Sequence, residues 1–232
     1  ALHGIAGYKL SPSSGFDVSV EGFWKRLTDL SVPEWTAFPR FTTRLQPADG
    51  EAYGVDVRTG IDRSWFLGFL SYGYSVVKYE ATGEAIPLWF GETSKEYPPP
   101  HDREHQVSAL ASVRVKGFEL SVRWQYGSGL PFSRSIGFDK FVLINGQTDV
   151  REEPGETRVL YGEPYDGRLP AYHRLDVSLD RTFRLKRTAL TVQAAVVNAY
   201  DRNNLFYMDL FTLRRVNQLP LIPTLGLKLE ID

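Results

Sequence analysis

Apolar and polar residues alternate along most of this 232-residue chain, in segments that are unusually long for β-strands. Successive side chains of a strand point to opposite faces, so this alternation predicts strands with one apolar and one polar face. Strands of globular proteins average about 5–6 residues, whereas a strand tilted across a bilayer needs about 9–11. We predict nine strands, most of them of the longer kind: 2–10, 16–27, 52–62, 64–78, 105–116, 118–127, 173–184, 188–198 and 222–231.

The connectors between the predicted strands alternate between short and long without exception. The short ones are 11–15, 63, 117 and 185–187, and the long ones are 28–51, 79–104, 128–172 and 199–221. Up-and-down barrels of the outer membrane have this arrangement, with tight turns at the periplasmic end and long loops outside. We therefore predict an all-β fold, namely an antiparallel up-and-down transmembrane β-barrel wall of about nine strands.

The two faces of the predicted strands differ clearly in polarity. In 118–127 the apolar face carries Phe118, Leu120, Val122, Trp124 and Tyr126, and polar side chains alternate with them. Two interpretations stay open: a half-buried antiparallel sheet of a soluble protein, or a lipid-facing band around a polar lumen. The strand length favours the second interpretation. Under it, five charged side chains are expected to face the lumen: Arg58, Arg114, Arg123, Arg174 and Asp176.

Composition and motifs argue against several classes of function. The net charge of −1 argues against a broad basic surface, so we expect no nucleic-acid partner. The absence of cysteine excludes thiolate metal sites and cysteine nucleophiles. His101 and His105 are near each other in sequence, but two histidines beside charged residues are more often exposed than metal-bound. No G-x-S-x-G motif occurs. We predict no catalytic residue, no metal site and no cofactor, and hence no enzyme.

Three stretches near the end of the chain, in this order, carry a resemblance to a known family. They are 168–176 (RLPAYHRLD), 196–204 (VVNAYDRNN) and 219–226 (LPLIPTLG), and 20–26 (VEGFWKR) adds to them upstream. Together they resemble the C-terminal part of the barrel of TonB-dependent outer-membrane receptors. From their turn formers and prolines we interpret these motifs as structural devices. The 198–204 stretch is expected to begin an outer loop.

The resemblance implies that residues 1–232 are the C-terminal segment of a 22-stranded barrel in the bacterial outer membrane. The family's plug domain and its N-terminal barrel strands are absent from this sequence, and since the chain begins at Ala1 we expect it to be processed or part of something longer. The resemblance further implies a nutrient uptake receptor in contact with outer-membrane lipid. The TonB energy-transducing complex would act only through the missing plug region.

The cargo is unknown, and siderophores, oligosaccharides, peptides and vitamins all fit. Exposed aromatic residues beside charges in the long loops can bind such molecules. The candidates are Trp35, Phe38, Arg40, Trp89, Phe90 and Glu92. Alternatively, these aromatic residues pack the loops against each other over the barrel mouth. Two other functions stay open: a small stand-alone outer-membrane pore or structural barrel, and a soluble β-barrel or sandwich that binds a ligand.

Overall fold

The computed structural model describes residues 1–35, 44–141, 155–209, 212 and 214–231, and they are nearly all β-structure. Strands make up 71% and helix 3%. In chain order the elements are β1 (Leu2–Ser13), β2 (Phe16–Pro33), β3 (Leu45–Asp62), β4 (Phe66–Ala81), α1 (Ala85–Phe90), β5 (Lys95–Tyr97), β6 (His105–Val115), β7 (Phe118–Gly127), β8 (Pro131–Phe132), β9 (Ser135–Phe141), β10 (Glu156–Tyr161), β11 (Gly167–Arg168), β12 (Tyr172–Arg184), β13 (Thr188–Val197), β14 (Leu205–Asp209), β15 (Arg214–Asn217) and β16 (Ile222–Ile231).

Nine of these strands form one antiparallel up-and-down sheet, which we call the wall. Its order is β1-β2-β3-β4-β6-β7-β12-β13-β16, so each wall strand pairs with the next one along the chain. All nine predicted strands are present, and the predicted fold class is confirmed. Within the described residues, β1 and β16 each pair on one side, so the sheet is not closed into a barrel.

The strand register sorts the wall into two faces, because directly opposed residues of paired strands lie on the same face. Ala109 opposes Trp124, and Val122 opposes Val177; both pairs lie on what we call the apolar face. Ser121 opposes Ser178 on the other, polar face. Side chains of the apolar face are largely uncovered, with Leu225 87% and Leu120 44% exposed. No second layer therefore covers these residues in the described structure.

Aromatic side chains occur at two levels of the apolar face. Three wall strands carry one at each level, always at the same interval along the strand: Phe16 and Trp24 in β2, Phe66 and Tyr74 in β4, and Phe118 and Tyr126 in β7. At about 3.3 Å per residue this interval spans roughly 26 Å along a strand. Outer-membrane barrels have an apolar band of about 25 Å between two aromatic girdles. With strands tilted by about 35–45°, the interval corresponds to roughly 19–22 Å along the membrane normal, so the two levels span most of such a band.

At the end of the wall that bears the long connectors, β2, β3 and β4 continue beyond their predicted bounds. There β5 pairs with β4, and Ile86 of α1 and Tyr97 of β5 join side chains of the polar face in a buried cluster. We call this cluster the mouth core: Val32, Ala48, Ala81, Ile86 and Tyr97. The extension of β3 alternates small buried residues, such as Ala48 and Gly50, with exposed polar ones. This pattern lacks the apolar bulk that marks a strand in sequence, so the prediction stopped at residue 52.

The long connectors also contain short hairpins that were not predicted. Their strand pairs are β8 with β11, β9 with β10, and β14 with β15. Among the residues that the structure describes, no helix has the length and apolar character needed to span a membrane.

Candidate functional site

The five charged residues expected to face a lumen all lie on the polar face of the wall. Arg123 opposes Asp176 across β7 and β12, and Arg58 opposes Ser71 across β3 and β4. Arg114 Nε lies 3.1 Å from Glu119 Oε2, and Arg174 Nη2 lies 2.9 Å from Asp176 Oδ2. These pairs place matched charges on this face.

Hydroxyl groups extend this charged band into a hydrogen-bonded chain. Ser112 donates to Glu119 Oε1 at 2.6 Å, and Ser121 donates to Ser112 Oγ at 3.1 Å. Glu119 thereby accepts hydrogen bonds from both a guanidinium and a hydroxyl. The polar face is thus a connected surface of hydrogen-bonding groups that water or a polar solute can contact.

A cavity of about 360 Å³ lies closer than these ion pairs to the long-connector end of the wall, which we call the mouth. It is bordered mainly by polar-face residues. Its lining combines hydroxyl and amide side chains with the aromatic rings of Phe23 and Tyr172 and the charges of Asp56 and Arg103. The uncharged polar members are Ser71, Ser75, Gln106, Ser108 and Gln125. Neutral donors and acceptors beside aromatic rings suit a polar, weakly charged cargo.

Three of the six loop residues expected to bind cargo are brought together. The ring centroid of Trp35 lies 5.0 Å from that of Phe90 and 6.0 Å from that of Trp89, with the two indoles edge-to-face. Trp89 remains 38% exposed. Lys95 Nζ lies 4.9 Å from the Phe90 ring centroid and 3.2 Å from Glu163 Oε2.

These contacts join the connector after β2 to α1, so the aromatic rings pack one long loop against another. Glu92 is exposed in the turn that follows α1, where Gly91 adopts a left-handed conformation. Phe38 and Arg40 lie outside the described residues. The cluster of Trp35, Trp89 and Phe90 fits both sequence-based interpretations, because it packs the loops and still leaves indole surface exposed.

Sequence reasoning missed a charged junction centred on Arg168. Its guanidinium donates to Asp102 Oδ2 at 2.6 Å and to Glu104 Oε1 at 2.8 Å. Asp102 is 1% exposed and also accepts a hydrogen bond from the backbone N–H of Val77 at 2.9 Å. The junction therefore joins β4, the connector before β6 and β11. Arg168 begins one of the motifs noted in the sequence, but its partner is 66 residues away, beyond any local pattern.

The 196–204 motif forms a second junction, at the same end of the wall. Asn198 is fully buried with a left-handed backbone (φ 55°), and its side-chain amide donates to the carbonyls of Arg202 and Leu219 at 3.0 and 3.1 Å. Its backbone N–H donates to Asp176 Oδ1 at 3.0 Å. Asn204 bonds both the N–H and the carbonyl of His173. The motif thus ties β12, β13 and the chain before β16 together.

Two tyrosines of the mouth have altered acidity. Burial, followed by the neighbouring Tyr165 and Tyr79, raises the pKa of Tyr97 to about 12. Burial also raises the pKa of Tyr165, whose ring stacks on Tyr97 with centroids 5.7 Å apart. Both phenols therefore keep their protons to a higher pH than an exposed tyrosine does.

Comparison with known families agrees with this architecture. The family model described as TonB dependent receptor-like, beta-barrel matches residues 6–199, well over half of the chain. No curated protein matches the chain.

Proposed function

The chain belongs to the family of TonB-dependent receptor-like β-barrels, and we propose that it is the C-terminal part of the barrel of an outer-membrane nutrient uptake receptor. In this proposal residues 1–232 are all barrel, and the plug and the N-terminal barrel strands belong to the rest of the receptor. The unpaired edges of β1 and β16 support it. Lipid does not tolerate open sheet edges, so further strands complete the wall.

One observation carries the proposal: the wall has an uncovered apolar face between two aromatic levels and a face of paired charges behind it. A soluble sandwich would bury the apolar side against a second layer. A transmembrane barrel places that side in lipid and the polar side around the passage. In this arrangement Arg58, Arg114, Arg123, Arg174 and Asp176 line the passage.

Cargo is recognised at the mouth and passes along the polar face. The exposed surface of Trp35 and Trp89 supplies a stacking surface for flat or ring-shaped cargo. The neutral hydroxyl and amide groups of the cavity below supply hydrogen bonds along the route. Energy comes from TonB acting through the plug, so the chain contributes the route and the plug contributes the coupling.

Uptake measured in cells tests this function. The full-length protein is produced in an outer-membrane host with and without TonB and offered labelled siderophore, oligosaccharide, peptide and vitamin. We expect uptake of one class only when TonB is present, and a loss of about tenfold or more in apparent affinity when Trp35 and Trp89 are both replaced by alanine. Trp65→Ala, an exposed tryptophan at the opposite end of the wall, is the matched control.

The two other functions predict different results, one in the uptake experiment and one on the purified protein. Uptake or ion conduction that is independent of TonB would indicate a stand-alone pore. A protein that stays monodisperse in buffer without detergent would be a soluble ligand-binding protein, and the proposal would be wrong.

A further inference from the structure

Among the described wall residues, Arg181 in β12 is the one charged side chain of the apolar face at its turn-end aromatic level, where it lies directly opposite Phe118. Its register partners are Phe118 in β7 and Val192 in β13, and its neighbours on the same face of β12 are Leu179 and Phe183. In all nine wall strands, as far as the structure describes them, the other positions of this face between the two levels are apolar, small or uncharged polar. Charged groups facing lipid are costly at the bilayer midplane but tolerated near the interface, so an arginine at this level can reach lipid headgroups.

Two aromatic rings and one backbone carbonyl hold the side chain of Arg181 in place, and we call this set of contacts the seat. Its guanidinium carbon lies 4.2 Å from the centroid of the Phe118 ring and 5.4 Å from that of Phe183. Its Nη1 donates to the carbonyl of Lys116 in the turn between β6 and β7. The same nitrogen also lies close to Gly117, since a Cβ at this glycine would be 3.4 Å from it. The guanidinium is therefore packed against the backbone of this turn. The side chain therefore runs towards the turn end of the wall, as a snorkelling arginine does.

The seat gives Arg181 no carboxylate partner. Across the described residues, no acidic oxygen lies within ion-pair distance of its guanidinium, and the same holds for Lys116, Lys186 and Arg187 in the two neighbouring turns. These three cations are exposed. The segment 181–187 (RTFRLKR) contains four cations and no acid. This end of the wall thus offers unneutralised positive charge at the border of the apolar face.

We propose that Arg181, with Lys116, Lys186 and Arg187, forms a binding site for the phosphate group of an anionic phospholipid in the leaflet at the short-connector end of the wall. The chemistry of the side chains fits this ligand, because a guanidinium donates two parallel hydrogen bonds to phosphate oxygens. In this proposal the Phe118 ring, on which the guanidinium stacks, contacts the first acyl carbons of the lipid. The exposed turn cations add attraction for a net negative headgroup. This inference rests on the proposed placement of the wall in the outer membrane.

Lipid retention by the full-length protein tests the site. The protein in detergent is supplied with phosphatidylglycerol or phosphatidylcholine of identical acyl chains, and bound lipid is counted by native mass spectrometry over a concentration series. We expect Arg181→Gln to weaken phosphatidylglycerol retention about fivefold, the effect of one interfacial cation. Arg181→Lys keeps the charge but loses the planar fork of the guanidinium. Its phosphatidylglycerol retention should lie between that of the wild type and that of Arg181→Gln. Phosphatidylcholine retention should change little.

Arg184→Gln is the matched control, because Arg184 lies in the same strand with the same charge but on the polar face, opposite Ala189. Equal losses in both glutamine variants would show a general charge effect and overturn the site, and so would the absence of any loss in Arg181→Gln. Displacement of phosphatidylglycerol by millimolar inorganic phosphate would assign the seat to free phosphate and overturn the lipid assignment.

The readout needs neither cargo nor TonB. A wild-type protein that takes up cargo but retains phosphatidylglycerol no better than phosphatidylcholine would contradict this site alone. Preferential retention of phosphatidylglycerol by the wild-type protein, without uptake of any cargo, would contradict the proposed transport function alone.

Discussion

The Arg168 guanidinium donates to the buried carboxylate of Asp102 across 2.6 Å, and this pair joins two long connectors at the mouth of the wall. The partners differ in exposure: the Arg168 side chain is 37% exposed, whereas Asp102 is 1% exposed. An exposed pair contributes little to stability, but removing the cation from a buried carboxylate leaves that charge uncompensated. When Arg168 is removed, most of the loss of stability should therefore come from the burial of the Asp102 carboxylate.

Replacing Arg168 by methionine should open the mouth locally. We expect the free energy of local opening of residues 98–104 to fall by about 2 kcal/mol, after allowance for the partial exposure of Arg168. Hydrogen exchange followed by mass spectrometry measures this opening. Arg134→Met, which breaks the more exposed Arg134–Asp166 pair (2.7 Å), is the control and should have a clearly smaller effect on local opening. Equal effects of the two variants would contradict the role given to Asp102.

Asn198 supports the mouth through its backbone conformation and its side chain together. Asn198→Gly keeps the left-handed backbone accessible but loses the side-chain bonds to Arg202 and Leu219, so we expect a cost of about 1–3 kcal/mol. Asn198→Ala also strains the backbone and should cost about 1 kcal/mol more. Limited proteolysis within 199–221 measures the loss. Equal cleavage rates in wild type and both variants would show that the motif does not hold this connector.

Alkaline pH should loosen the mouth core through Tyr97. The pKa of Tyr97 is raised from its ordinary 10.0 to about 12, so the folded protein keeps a proton that the unfolded chain releases. The stabilisation is therefore fully present below pH 10 and is lost as the pH rises through about 12. Hydrogen exchange of residues 85–97 should accelerate over this range beyond the intrinsic rate increase. Tyr97→Phe should remove that acceleration, whereas Tyr207→Phe, at an exposed position, should not.

Gln46 offers a way to stabilise the same region. It is 4% exposed, and neither its amide nitrogen nor its amide oxygen has a hydrogen-bond partner in the described structure. Because unpaired buried polar atoms cost about 1–3 kcal/mol, Gln46→Met should slow exchange of residues 45–48 by a factor equivalent to about 1 kcal/mol. Gln106→Met, at an exposed position, should leave that exchange unchanged. Faster exchange in Gln46→Met would indicate that the amide has a partner in solution.

The wall was predictable from the sequence because alternation is a local property that each strand carries by itself. In β7 every second residue from Phe118 to Tyr126 is apolar, which indicates both the strand and its apolar side. The extension of β3 was not predictable in this way. Its buried positions hold Gln46, Ala48 and Gly50. Ala48 clusters with Ile86 of α1, whereas the side chains of Leu30 and Tyr79 lie beside Gly50, and no local pattern reveals these contacts.

The junctions of the mouth were beyond sequence reasoning for a different reason. Arg168 and Asp102 meet through the fold, and no spacing rule joins residues so distant in the chain. The motif containing Asn198 was recognised as structural, but its contact with Leu219 could not be inferred. Arg181 breaks the alternation of an otherwise apolar row, and that departure was the available signal for the proposed lipid site.

Spin-label accessibility along β7 tests the central claim most directly. Residues 1–232 contain no cysteine, and any cysteine elsewhere in the full-length protein is first replaced by serine. The full-length protein in liposomes carries one label at a time at Leu120, Ser121, Val122 or Arg123. With lipid against the apolar face, labels at 120 and 122 should be more accessible to dissolved oxygen than labels at 121 and 123. Labels at 121 and 123 should be more accessible to a water-soluble nickel complex, from which those at 120 and 122 are shielded. Labels at 120 and 122 that are shielded from both reagents would show a second protein layer on that face and contradict the account.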